Sequence, residues 1–98
     1  MPRLPVRLVS AIELKQLFDD LELWWQIFDG TLTTLVVATT PATNPHYGGA
    51  TSQMLIHRDQ LGNHRCTTHR IITADGTILH WDESDVKLVN ATVAKAHH

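Results

Sequence analysis

Apolar positions recur at helical spacing early in the chain and in short alternating runs later. Leu14, Leu17, Phe18 and Leu21 fall on one stripe of a helical wheel, with Lys15, Gln16, Asp19 and Asp20 elsewhere on it. Ser10 followed by Glu13 is a capping-box pattern, because hydroxyl and carboxylate can satisfy backbone groups left free at a helix start. An amphipathic helix is therefore predicted from about Ala11. Beyond Leu21 two continuations compete. Trp24, Trp25 and Phe28 can extend the stripe to a cap at Gly30, which leaves Leu23 and Ile27 on the polar side. The preferred alternative makes Asp29-Gly30 a two-residue hairpin turn, so that Leu23, Trp25, Ile27, Leu32 and Val36 share a strand face.

Residues 41–50 hold two prolines and two glycines and read as a loop. Thr51–Arg58 and His64–Ala74 alternate as strands joined by residues 59–63, and Asp75-Gly76 turns the chain into Thr77–Trp81. That turn would set Ile71 opposite His80 and Arg70 opposite Trp81. Residues 82–85 read as an acidic turn, and 86–94 as either a last strand or a short helix. The expected fold is α+β: one N-terminal amphipathic helix on a four- to five-stranded antiparallel sheet, a meander of hairpins. One domain spans 1–98, with 1–9 and 95–98 as flexible ends and His97-His98 frayed or left from cloning. In outline this resembles cystatin-like sheets and small ribonuclease toxins. The cystatin Gln-x-Val-x-Gly loop and the toxins' catalytic motifs are missing, so neither function is carried over.

Ninety-eight residues with 43% hydrophobic content allow a single core. One cysteine, Cys66, excludes an internal disulfide. No apolar run approaches the ~18 residues of a membrane span. These features predict a soluble, cytoplasmic protein without membrane attachment. The net charge of −2 argues against a general nucleic-acid coat. Charge is uneven: residues 51–70 carry three arginines against one acid, and residues 13–29 five acids against one base.

Candidate chemistry concentrates between Ser52 and Trp81, which hold His57, Arg58, His64, Arg65, His69, Arg70 and His80. The expected register places His57, Arg65, Thr67, His69 and His80 on one polar sheet face, with His69 and His80 diagonal neighbours. Such a face is usually no more than the wetted side of an antiparallel sheet. Read functionally, it could cleave RNA without metal: His69 and His80 as acid and base, Arg65 as phosphate clamp, and His57 and Arg70 as further contacts. His64 and Cys66 are zinc-ligand types two apart, but a single pair falls short of a site, so neither metal nor other cofactor is expected. Tyr47, beside Gly48-Gly49, offers a contact group on a loop. In the hairpin reading the second face of residues 24–37 carries Trp24, Phe28, Leu35 and Val37 and needs a cover. The leading expectation is thus an interaction module that engages a protein partner or a second copy through that apolar face. Trp24 and Phe28, with the basic residues His57, Arg58 and Arg70, are its binding groups. The ribonuclease is the alternative, with RNA as partner.

Overall fold

A computed structural model describes residues 5–96; the expectation for His97-His98 lies outside them. The chain runs β1 (Val6–Val9), α1 (Ala11–Asp20), α2 (Leu23–Phe28), β2 (Thr33–Pro41), a 3-10 turn (Pro45–Tyr47), β3 (Thr51–Arg58), β4 (His64–Ile72), β5 (Ile78–Lys87) and β6 (Thr92–Lys95). The strands form one six-stranded mixed sheet in the order β1-β6-β5-β4-β3-β2. The α+β class holds. The all-antiparallel sheet of four or five strands is corrected, because β1 pairs in parallel with β6, Val6 beside Thr92 and Val9 beside Lys95. Residues 6–9, expected to be loose, are thereby tied into an edge strand, and Lys95 belongs to β6.

Helix α1 starts where the capping box places it: Ser10 Oγ accepts from Glu13 N–H at 3.1 Å and lies 3.3 Å from Glu13 Oε1. It buries Leu14 and Phe18 completely. Each such side chain contributes about 2–3 kcal/mol of transfer free energy. The hairpin reading of residues 21–36 is corrected: residues 23–28 are helical, and Gly30 at φ 85° follows the helix end, as in the alternative. The objection to a helix, that Leu23 and Ile27 would be stranded, disappears at Glu22. Its left-handed backbone (φ 55°) breaks the helix and turns α2 about its axis. Gln26 Nε2 donates to the freed Leu21 carbonyl at 2.9 Å. Leu23 and Ile27, one helical turn apart, then join Leu14, Phe18, Leu32, Cys66, Val86 and Val93 in the core.

The acidic run 82–85 is strand, not turn, and 86–94 divides between the end of β5, a bend and β6. Acids are disfavoured in strands, yet these are held by partners. Glu83 is buried on the helix side, where its Oε2 accepts from Trp24 Nε1 at 2.9 Å and meets Lys15 Nζ at 3.5 Å. Trp24 in turn packs on Phe18, Phe28 and Trp81 with ring centroids 5.4–5.7 Å apart. Among the described helices none is long and apolar enough to cross a membrane.

Candidate functional site

The hairpin at Asp75-Gly76 starts one residue off the expected two-residue turn, with Ile72 opposite Ile78, and a bulge at Leu79 restores the expected pairs Ile71–His80 and Arg70–Trp81, which continue to His69–Asp82. His69, Ile71, His80 and Asp82 thus share the sheet face turned away from the helices. Strand β3 contributes Ser52, opposite Ile71 and diagonal to His69. The 40–44 segment and Tyr47 form a wall, and together these residues enclose a basin of about 400 Å³. Asn44 braces that wall by accepting His46 N–H on its Oδ1 at 3.0 Å. The loop expected at 41–50 thus yields Pro41 to β2, and its residues 42–44 and Tyr47 border the basin.

Within the basin Ser52 Oγ lies 2.5 Å from His69 Nε2. The other nitrogen of the same ring, Nδ1, is 3.7 Å from Asp82 Oδ1. Asp82 Oδ2 is 3.4 Å from His80 Nε2 and accepts from Lys95 Nζ at 2.7 Å. A hydroxyl, an imidazole and a carboxylate stand in sequence, with a second imidazole and an ammonium holding the carboxylate. Ser52 and Asp82 carry no signal in the sequence: the first reads as an ordinary strand serine and the second as part of an acidic turn.

His57 is not on this face. The pairing starts as expected, Arg58 beside His64, but a bulge then makes Arg65 the extra residue and His57 pairs with Cys66. A one-residue slip sends a side chain to the opposite face. His57 is fully buried on the helix side. Thr34 Oγ1 lies 3.0 Å from its Nδ1 and Thr68 Oγ1 2.7 Å from its Nε2, while Trp81 Nε1 donates to Thr68 Oγ1 at 2.8 Å. Burial, then the positive neighbours His64 and Arg70, push the imidazole down to about 4, so it is neutral at physiological pH.

Arg65 is corrected as well. Four residues from His69, or about 13 Å along a strand, its guanidinium lies 3.8 Å from Asp59. That corner borders a second cavity with Asp59, Asn63, His64, Lys87 and Leu88. His64 spends Nε2 on Cys66 O and Thr67 Oγ1 at 3.0 and 2.9 Å. Arg70 lies over Trp81, 5.3 Å from the ring centroid, and donates to Gln53 Oε1 at 2.8 Å. Arg58 is exposed at the end of β3. Trp24 and Phe28 lie on α2 and not on a sheet face, because that segment is helical. Burial, reinforced by the charge of Asp85, pushes the Cys66 thiol up to about 12, so it stays protonated and inert. Among the described residues no group of three or more His, Cys, Asp or Glu side chains converges as metal ligands would.

The second feature is β2. All nine of its residues are exposed, it forms one edge of the sheet, and Leu35 and Val37 stand at 52% and 50% exposure. Between Asp29 and Arg58 the chain has no Asp, Glu, Lys or Arg. Compared with known proteins, the chain matches no family model, no curated protein and no solved structure.

Proposed function

We propose that the protein is a small interaction module that works as a homodimer, with the β2 edges of two copies paired. The observation that carries this is the long, uncharged, fully exposed edge strand. Free N–H and C=O groups on a sheet edge are a template for another strand, and proteins usually protect them with charge, proline or brevity. The opposite edge has such protection, since β1 is four residues long, carries Arg7 and follows Pro5. Strand β2 has a bulge at Val37 and a terminal proline, but no charge to repel its own image. A two-fold axis at Val37 would set Val37 against its copy, Val36 against Ala38 and Leu35 against Thr39, an isologous contact that needs no second surface. A reducing, cytoplasmic setting suits the lone buried Cys66.

The ribonuclease reading is weaker on this geometry. Arg65 is too far away to clamp a phosphate, and Asp82 lies between the two imidazoles, where its charge opposes a phosphodiester.

Light scattering on the full chain tests the dimer. The expected mass is twice 11.0 kDa at micromolar concentration. Val37→Lys, which puts two ammonium groups at the contact, should give a folded monomer with an unchanged circular dichroism spectrum. A native protein that stays monomeric at about 100 μM, well above the Kd of specific dimers, would overturn the proposal.

A further inference from the structure

The outer-face basin has the parts of a nucleophilic site, and this observation is independent of the β2 edge. We propose that Ser52, His69 and Asp82 form an acyl-transfer site for small neutral carboxylic esters. Serine is a poor nucleophile until a base accepts its proton, and that base works best when a third group orients it and stabilises its charged form. Here His69 Nε2 faces the Ser52 hydroxyl at 2.5 Å and His69 Nδ1 faces the Asp82 carboxylate at 3.7 Å. The two nitrogens of one ring are thus divided between nucleophile and anion, and the three residues come from three adjacent strands.

The surroundings define the substrate class. Lys95 offsets part of the Asp82 charge, which moderates the base and suits esters over the more demanding amides. The carboxylate disfavours anionic substrates, and about 400 Å³ is at the small end for a ligand pocket. Tyr47 and the Asn44 amide group, whose Oδ1 is held by His46 N–H, are among the donors that line the basin and would serve the oxygen that becomes negative.

The step balances within these residues. Ser52 Oγ bonds to the ester carbonyl carbon as His69 Nε2 takes the hydroxyl proton. The acyl C–O bond then breaks, and that proton leaves with the alcohol. Water attacks the acyl-Ser52 ester, giving its proton to His69. Collapse releases the carboxylic acid and returns the proton to Ser52 Oγ. Ser52 and His69 are the catalytic residues; Asp82 is a positioning residue.

The test uses the intact full-length protein with p-nitrophenyl acetate and a fluorophosphonate. The expected result is hydrolysis above the buffer rate, a single fluorophosphonate adduct mapped to Ser52, and about a 100-fold loss of rate in Ser52→Ala. Asp82→Asn should lower kcat about 10-fold at unchanged KM, with most of the rate restored in Asp82→Glu. No hydrolysis and no adduct would overturn the proposal. So would an adduct elsewhere, or a Ser52→Ala rate equal to that of the native chain. Adduct mapping requires only the native protein, so it decides the matter even if a variant fails to fold.

Discussion

His57 and His69 stand on adjacent strands, each with a hydroxyl within hydrogen-bonding reach of Nε2, and they face opposite sides of the sheet. His57 has hydroxyls at both ring nitrogens, no carboxylate partner and no contact with solvent. His69 has a hydroxyl on one side, a carboxylate on the other and an open basin above. The first ring works as a polar strut, joining β2, β3 and β4 through Thr34 and Thr68. The second is placed to exchange a proton. The same side chain takes a structural or a chemical part according to its outer partner and its access to water.

The largest expected effect separates the two by stability. His57→Ala leaves a cavity and two hydroxyls without their ring partner, and should cost about 4 kcal/mol of unfolding free energy in urea titrations. His69→Ala, on a wetted face, should fall at the other end of the scale, within about 0.5 kcal/mol of the native chain. Equal losses would erase the distinction.

Between these comes a pH effect. The folded His57 is held at about 4, whereas the unfolded chain protonates it around 6.5. Between those values the unfolded state binds the extra proton, so stability is complete above pH 6.5 and declines as pH falls through the window. The loss should approach about 3 kcal/mol by pH 4, at 1.36 kcal/mol per unit. His64, also lowered by burial, adds to it with the same sign. His57→Gln should flatten the slope; an unchanged slope would assign it elsewhere.

The legible parts of this molecule were those with local chemistry. The capping box at Ser10–Glu13 marks the start of α1, and Asp75-Gly76 marks a hairpin; its register is one residue off at Ile72–Ile78, and a bulge at Leu79 returns His80 to the face of His69. Bulges defeated the rest. The extra residue at Arg65 moves His57 to the core and Arg65 out of the cluster, and nothing in the alternation of residues 57–67 announces it. The same offset pairs Met54 with His69 and makes Ser52 its diagonal neighbour, a relation that the unbulged register hides. Asp82 was masked by its own composition, since three acids within 82–85 look like a turn until Trp24, Lys15, Lys87 and Lys95 supply their partners. Residues 23–28 are ambiguous in the sequence because two-residue periodicity explains Leu23 and Ile27 as well as a helix rotated at Glu22 does.

The most direct test is a histidine-ring NMR titration of the native protein, following the His57 carbon-bound ring protons from pH 8 to the onset of acid unfolding. A resonance that stays in the neutral position down to pH 5, with a midpoint at about 4, would place this imidazole in the sealed interior and leave the outer-face cluster to His69 and His80. Titration of the folded protein near 6.5 would put His57 in water, contradicting the register on which both the core and the basin depend.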